Sequence, residues 1–125
     1  IENAPIEKGY VVIDRKWKSG DKITLTLDMP VEIVQADLRV KENIGKRAIQ
    51  RGPLVYCMEE IDNPVFDELT LSSATKFKET FEPSVLNGVT TIDAVTGDKT
   101  IRLIPYYAWD NREAGQMKVW IDYNE

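Results

Sequence analysis

The sequence predicts an all-β fold: an antiparallel β-sandwich of jelly-roll-like type, with about eight or nine short strands and little helix. Apolar and polar residues alternate with a period of two in several stretches, as they do in half-buried strands. Clusters of Gly, Pro, Asn and Asp separate these stretches at close spacing. No stretch keeps the i, i+3, i+4 spacing of an amphipathic helix long enough to predict one.

Residues 51–57 (RGPLVYC) lie between the two halves of the chain and predict its most buried strand. Gly52-Pro53 forms a turn signal, and an apolar run from Leu54 to Met58 follows it directly. A short apolar run that is bounded by turn residues is typical of a strand buried on both faces. We therefore expect the rest of the sheet to pack around this segment.

Two strands are predicted before the central run, over residues 9–15 and 22–29, with a Ser-Gly-Asp turn at 19–21. The second has the clearest pattern in the chain, because Ile, Leu, Leu and Met alternate with Lys, Thr, Thr and Asp. That alternation predicts one apolar and one wet face, and the two strands together predict an antiparallel hairpin. A third strand is expected over residues 34–40, and a fourth strand or a bend over residues 47–50.

The second half of the chain begins with a predicted turn and boundary at Asn63-Pro64. The segments predicted after it are residues 65–71 (a helical turn or a short strand), strand 76–81, the hairpin 89–95 and 99–104, and a last strand over 117–121. The hairpin is the clearest of these, because Thr96-Gly97-Asp98 supplies a short loop that contains glycine.

Length and charge limit the partners that the chain can have. At 125 residues it is sized for one domain, which needs neither a disulfide nor a metal to stabilise it. The net charge of −5 repels phosphate backbones and anionic lipids, and no apolar run is long enough to span a bilayer. We expect no nucleic acid and no membrane as a partner.

One cysteine and no histidine limit the chemistry of the chain. Cys57 alone cannot form an internal disulfide or a thiolate cluster for zinc, and without His no Ser-His-Asp or Cys-His triad can form. Cys57 also lies in an apolar run, where free cysteine packs as a small hydrophobic residue. We predict no catalytic residue, no metal site and no cofactor within this chain, and the sequence leaves its compartment open.

Acidic residues offer an alternative chemistry, because a glycosidase uses two carboxyl groups held about 5–9.5 Å apart across the sugar. The candidates are Glu59, Glu60, Asp62, Asp67, Glu68 and Asp110. Glu59 and Glu60 would point to opposite faces of a strand, so they cannot both flank one substrate. The interpretation that we favour is a solvated acidic loop.

Residues 105–112 (PYYAWDNR) have the composition of a binding surface. Aromatic faces stack on sugar rings, while amide and charged groups hydrogen-bond sugar hydroxyls. The candidate residues for a carbohydrate or interdomain contact are Tyr106, Tyr107, Trp109, Asn111 and Arg112. The alternative is that the aromatic residues cap the last hairpin as core or interface residues, with Arg112 holding the loop in place.

Four groups of residues together resemble the C-terminal region of glycoside hydrolase family 127, the β-L-arabinofuranosidase type. In chain order they are Gly9-Tyr10 with Arg15-Lys16-Trp17 and Gly20-Asp21; residues 51–57 with Glu59; residues 104–109 (IPYYAW) with Asn111-Arg112; and Met117 with Val119-Trp120. Each group is weak alone, whereas their order and spacing over most of the chain make the set specific.

The resemblance implies a non-catalytic accessory sandwich of a bacterial glycoside hydrolase that acts on L-arabinofuranosides. In that family an α/α barrel carries the catalysis on a zinc site of cysteines and a glutamate, and two β-sandwich regions follow it. No catalytic residue carries over to this chain, because Cys57 lies in the sandwich pattern and not in a paired-cysteine motif.

We therefore expect residues 1–125 to be one β-sandwich unit, excised from a longer chain because the sequence begins on Ile1. In the alternative division, residues 1–60 are the remainder of a first sandwich and residues 61–125 are a second. The expected partner is the catalytic barrel of the parent chain. Plant-type glycans are the alternative partner, if the aromatic loop forms a carbohydrate-binding module. An exposed edge strand would also allow a homodimer.

Overall fold

The computed structural model describes residues 4–125, so Ile1, on which the expectation of an excised chain depends, lies outside the described part. Eleven strands form in this range, and seven of them have four or more residues. They are β1 (Ile6–Glu7), β2 (Tyr10–Val11), β3 (Val31–Val34), β4 (Lys46–Arg51), β5 (Leu54–Glu59), β6 (Leu71–Ser72), β7 (Lys76–Glu82), β8 (Val89–Thr96), β9 (Lys99–Pro105), β10 (Met117–Lys118) and β11 (Ile121–Asn124).

Helix is limited to four single-turn 3-10 segments in the described chain. They are Lys41–Asn43, Glu60–Asp62, Phe66–Glu68 and Tyr106–Ala108. None of the helices in residues 4–125 is long and apolar enough to cross a membrane. The prediction of an all-β fold with little helix is confirmed.

Nine strands belong to one sheet with the order β6-β11-β4-β5-β9-β8-β7, to which β3 adds beside β4 and β10 beside β5. Neighbouring strands are antiparallel except β6 and β11, which run parallel. Side chains of β4, β6 and β11 meet those of β5, β8 and β9 in one core, so the sheet folds over to form two packed layers. This is the sandwich that the period-two alternation predicts.

The central run is the strand β5, and it is buried on both faces as predicted. Tyr56 and Met58 point into the core between the layers, and the Tyr56 hydroxyl donates a hydrogen bond to the carbonyl oxygen of Thr90 at 2.8 Å. Cys57 points the opposite way, into a smaller apolar cluster with Ile104. The sandwich core therefore lies on one side of β5 and a second apolar layer on the other.

The predictions for residues 47–50 and for the second half of the chain agree with the structure. Residues 47–50 lie in the strand β4, and the predicted hairpin is the β8–β9 pair, with a ladder from Ile92 to Thr96 that pairs with β9. Residues 65–71 were predicted as a helical turn or a short strand, and both occur, because the 3-10 helix Phe66–Glu68 precedes the short strand β6. The last predicted strand is split into β10 and β11, which pair with β5 and β4 respectively.

The predictions for the N-terminal quarter are wrong. Residues 22–29 form no strand, and residues 9–15 contribute only β2, which pairs with β1 across the Lys8-Gly9 turn. The strand expected over residues 34–40 lies earlier, as β3. A strand needs a partner for its backbone hydrogen bonds, and β4 ends at Arg51, which pairs with Val31, so the residues before Val31 have no partner in β4. Residues 22–29 extend past that end.

The buried apolar side chains of the described chain begin at Ala48, and residues 4–30 contribute none of them. Buried residues on both sides of residue 60 contribute to the same sandwich core, among them Ile49, Tyr56 and Ile101. The division of the chain near residue 60 into two sandwiches stays a prediction.

Candidate functional site

The aromatic loop follows directly from β9, where Pro105 ends the strand and the 3-10 helix Tyr106–Ala108 turns the chain. Ala108 is buried in the smaller apolar cluster and anchors the turn. The three aromatic side chains therefore face outward: Tyr107 is 65% exposed, Tyr106 45% and Trp109 36%. These three exposed rings form the aromatic surface of the loop.

Two features of this aromatic surface decide what it can contact. The rings of Tyr106 and Trp109 lie 6.4 Å apart between centroids, tilted by 32°, which is a favourable arrangement for an aromatic pair. Tyr107 lies on the other side, where it lines an open depression of about 350 Å³ together with Leu86, Asn87 and Asn111. The exposed rings could stack on a sugar or pack against another protein surface.

Arg112 lies beneath the aromatic surface and binds two carboxylates. Its Nη2 donates to Glu59 Oε2 and to Asp62 Oδ2, and its Nη1 donates to Asp62 Oδ1 at 2.9 Å. The hydrogen bonds to Asp62 are the main cause that raises the pKa of Arg112, so the guanidinium stays charged. Its Nε is buried without a hydrogen-bond partner among residues 4–125. Arg112 thus ties the loop to the end of β5, as one of the two alternatives predicted.

Glu59 is the residue on which this network converges. It is only 6% exposed, and its second carboxylate oxygen accepts a hydrogen bond from the backbone N–H of Asp110 at 2.9 Å. The expectation of a solvated acidic loop is therefore wrong for Glu59, because the carboxylate is buried and paired with Arg112. Both oxygens are occupied as acceptors, and the guanidinium cannot serve as a proton donor in catalysis. The arrangement is suited to holding a loop, not to acid–base chemistry.

Asn111 is also used within the loop. Its Nδ2 donates to the carbonyl oxygens of Ala108 and Trp109, at 3.1 and 3.0 Å. Of the five predicted contact residues, the three aromatic ones are exposed, whereas Asn111 Nδ2 and the two terminal nitrogens of Arg112 donate hydrogen bonds within the protein. The structure brings all five to one loop and divides them into an outer surface and its internal support.

Asn63 is a structural residue whose role the sequence did not reveal. It is buried at 1% exposure, and its Nδ2 donates to the carbonyl oxygens of Glu59 and Arg102, at 2.7 and 3.0 Å. Its Oδ1 accepts from the Arg102 backbone N–H at 2.9 Å. The Asn-Pro signal predicted a turn correctly, but it cannot show that the side chain binds the end of β5 to β9.

Cys57 is fully buried, and its thiol is unreactive for a physical reason. Burial is the main cause that raises the pKa of Cys57 to about 12, and the nearby charge of Glu59 adds to it. A nucleophilic cysteine needs the opposite shift, which a positive neighbour or a helix N-terminus provides. Among residues 4–125, no three His, Cys, Asp or Glu side chains are placed to hold a metal ion.

The buried thiol leads to an expected pH dependence of stability. Above pH 9 the unfolded chain releases the Cys57 proton while the native state keeps it up to about 12, so the native state loses free energy relative to the unfolded state as the pH rises. In that window we expect Cys57 to lower the free energy of unfolding by roughly 1.4 kcal/mol per pH unit. Urea unfolding of the wild type and Cys57→Ala at several alkaline pH values measures this, and equal slopes would contradict it.

Comparisons with known proteins agree with this geometry. Residues 31–122 match the family model described as the glycoside hydrolase family 127 C-terminal domain. A non-reducing end β-L-arabinofuranosidase of Bifidobacterium longum subsp. longum is 35% identical, with 92% of this chain and 21% of that protein covered.

Two solved structures have the same fold. A GH127 β-L-arabinofuranosidase from Geobacillus stearothermophilus T6 matches with a TM-score of 0.75 and 39% identity, over 95% of this chain and 22% of that one. A second GH127 β-arabinofuranosidase matches with a TM-score of 0.83 and 36% identity, over 98% and 22%. This chain spans about a fifth of the length of these relatives. It belongs to glycoside hydrolase family 127, and it corresponds to the C-terminal domain of the members of that family.

Proposed function

We propose that this domain is a non-catalytic accessory β-sandwich, which packs against and stabilises the catalytic α/α barrel of a longer bacterial glycoside hydrolase acting on L-arabinofuranosides. The supporting observation is that the side chains capable of catalysis, namely the buried carboxylates, the guanidinium and the thiol, are used to hold the fold. Arg112 pairs with both Glu59 and Asp62 beneath a loop, and Cys57 is a core residue whose pKa burial raises to about 12. The zinc that the family resemblance implies belongs, in this proposal, to the barrel.

The contact with the barrel is proposed for the aromatic surface of Tyr106, Tyr107 and Trp109. Exposed Tyr and Trp side chains are enriched at protein interfaces, where they bury a large area at a small loss of rotamer entropy. The Arg112 network beneath them holds the loop in one conformation, so little further ordering is needed when a partner docks. A rigid aromatic loop of this kind is suited to a permanent interdomain contact.

A carbohydrate-binding module is the second candidate function. The exposure of Tyr107 beside Asn87 and Asn111, around an open depression, favours it. The internal hydrogen bonds of Asn111 and Arg112 weigh against it, because these side chains then have few donors left for sugar hydroxyls. The accessory role explains both the exposed rings and the engaged polar groups, so it is the function that we propose.

The experiment compares residues 1–125 with a full-length chain that contains this domain. With an aryl β-L-arabinofuranoside, zinc and a thiol reductant, we expect turnover by the full-length chain and none by residues 1–125. In the full-length chain, Trp109→Ala should lower the thermal midpoint by a few degrees, about the effect of losing one interface aromatic, and leave KM unchanged. Phe81→Ala, which removes another exposed aromatic ring on the edge strand β7, is the matched control and should change neither.

Each other outcome has a definite meaning. Turnover by residues 1–125 at the rate of the full-length chain would refute the accessory role. An unchanged thermal midpoint together with a raised KM for arabinose-containing glycans in Trp109→Ala would favour the carbohydrate-binding module. The same comparison also tests partners, because an accessory domain should give no heat when residues 1–125 are titrated with plant-type glycans.

A further inference from the structure

The loop between β7 and β8, residues 83–88, contains the single Asn-Gly pair of the chain, Asn87-Gly88. Asn87 is exposed to solvent in this loop. The side-chain carbonyl carbon of an asparagine can close a five-membered ring with the backbone nitrogen of the next residue. Glycine has no side chain to shield that nitrogen, so an exposed Asn-Gly pair is open to this reaction.

The fold itself requires glycine after Asn87. Gly88 has a φ of +101°, a conformation that residues with a side chain rarely adopt. A Cβ at this position would also lie only 3.1 Å from Cζ of the Phe81 ring. The unshielded nitrogen next to Asn87 is therefore a consequence of how the loop is built.

The backbone of the loop is held in an unfavourable conformation by few contacts. Leu86 and Asn87 have φ angles of +49° and +64°, in a region that leucine rarely adopts. A turn hydrogen bond occupies the nitrogen that would react, since the Gly88 N–H donates to the carbonyl oxygen of Val85 at 2.8 Å. Exposed loops open locally at a small part of the free energy of global unfolding. We therefore expect the Gly88 nitrogen to be released while the sandwich stays folded.

The other asparagines of the described chain lack this combination of features. Asn63 precedes a proline, whose nitrogen carries no hydrogen, and its own amide is bound in the core. The amide of Asn111 is held by two carbonyl oxygens of its loop. Asn43 and Asn124 precede an isoleucine and a glutamate, whose side chains shield the next nitrogen. Asn87 is thus the residue of this type that the structure leaves reactive.

We infer that Asn87 is a site of self-modification, at which the chain converts its own asparagine into aspartate and isoaspartate. The Gly88 nitrogen bonds to Cγ of Asn87, the bond from Cγ to Nδ2 breaks, and Nδ2 leaves as ammonia with the proton that the Gly88 nitrogen gives up. Water then opens the cyclic imide at either of its carbonyl carbons. The sum is one water consumed and one ammonia released, so the reaction needs no oxidant or reductant.

The modification changes the surface beside the aromatic loop. Asn87 lines the open depression together with Tyr107 and Asn111. Both products place a carboxylate there, and the isoaspartate form also lengthens the backbone by a methylene group. The site therefore adds negative charge next to Tyr107 as the protein ages. The inference does not depend on the accessory role, because it uses only the loop and solvent.

Mass spectrometry of a full-length chain that contains this domain tests the inference. The chain is incubated at mildly alkaline pH, native and in urea, and is then digested with trypsin. Cleavage after Lys78 and Lys99 gives a peptide of residues 79–99, in which Asn87 is the only asparagine. This peptide should gain the mass of an NH₂-to-OH exchange, and the native chain should react no more than about tenfold more slowly than the unfolded one, because one turn hydrogen bond contributes about that factor. The native peptides that contain Asn63 and Asn111 should stay unmodified.

Two variants locate the reaction. Asn87→Gln should abolish the mass gain, whereas Asn43→Gln, the matched control, should leave it unchanged. If Asn87→Gln does not fold, Asn87→Asp replaces it: this variant should show no mass gain, and aged wild type should elute with it on anion exchange. Methylation of the aged chain by an isoaspartate methyltransferase identifies the isoaspartate product.

A native chain that stays unmodified at position 87, while the chain in urea reacts, would overturn the inference. A mass gain that persists in Asn87→Gln or Asn87→Asp would also overturn it, since another residue would then be the site. Turnover by residues 1–125 would instead refute the proposed function, and it is measured separately from the modification.

Discussion

Arg112→Met is expected to lower the free energy of unfolding by about 3–5 kcal/mol, since it leaves the buried carboxylate of Glu59 without its counter-charge. Met preserves most of the aliphatic volume of Arg112, so the loss reports the charge and not the packing. Urea or guanidinium unfolding, followed by tryptophan fluorescence, measures the change. We also expect the fluorescence of Trp109 to change in the native state, because the loop loses its connection to β5 and to Asp62.

Two control variants separate the buried network from charge effects in general. Arg39→Met removes an equivalent pair with Asp37, whose side chains are highly exposed, and should leave the unfolding midpoint unchanged. The double variant Glu59→Gln/Arg112→Met should recover part of the loss, because the charge of Glu59, the more deeply buried of the two carboxylates, is then absent. A double variant as unstable as Arg112→Met alone would show that the charge of Glu59 is not the cause.

Asn63→Asp is expected to destabilise the domain by about 3 kcal/mol or more, although it changes only one atom of the side chain. The new carboxylate oxygen would face the carbonyl oxygens of Glu59 and Arg102, which now accept hydrogen bonds from Nδ2. Two buried acceptors would lose their donor, and a negative charge would be buried beside them. Chemical unfolding of the variant measures the loss.

Asn87→Asp is the matched control for this substitution. Asn87 is exposed in the β7–β8 loop with a φ of +64°, a conformation that Asp tolerates nearly as well as Asn. It should cost little stability. Equal losses in the two variants would show that the added charge, and not the buried hydrogen bonds of Asn63, is responsible.

The two predicted losses are coupled, because Asn63 and Arg112 bind the same residue. The carbonyl oxygen of Glu59 accepts from Asn63, while its carboxylate accepts from Arg112 and from the Asp110 N–H. A shift in the backbone at Glu59 would disturb all of these contacts together. We therefore expect the effects of the two substitutions to be non-additive, as is usual for residues of one network.

The strands predicted best are those whose apolar pattern is bounded by clear turn residues. The β8–β9 hairpin and the buried run of β5 follow from apolar pattern and turn residues, which act over a few positions. The 22–29 segment has an equally clear pattern and is no strand in the described chain, since its pattern says which face would be buried but not what would bury it. Pairing depends on a partner strand, and β4 ends too early to supply one.

In the aromatic loop, too, some features follow from the local sequence, whereas others depend on contacts with residues far away in the sequence. Its composition predicted Tyr106, Tyr107 and Trp109 as contact residues, with a core or interface position as the alternative, and the structure shows that the three side chains are exposed. The partners of Arg112 lie 50 and 53 positions earlier in the chain. Nothing in the local sequence distinguishes Glu59 from the exposed Glu60 beside it, and only the fold decides which carboxylate is buried.

By itself, then, the sequence determined an all-β domain of glycoside hydrolase family 127, the buried central strand and the position of the aromatic loop. These features depend on residue type and spacing, because a period of two in the sequence matches the alternation of side chains between the two faces of a strand. The tertiary structure alone decided that Glu59, Asn63 and Arg112 form one support beneath the loop, that burial raises the pKa of Cys57, and that residues 22–29 remain exposed. Burial and charge pairing arise between distant segments, so they exist only after the chain has folded.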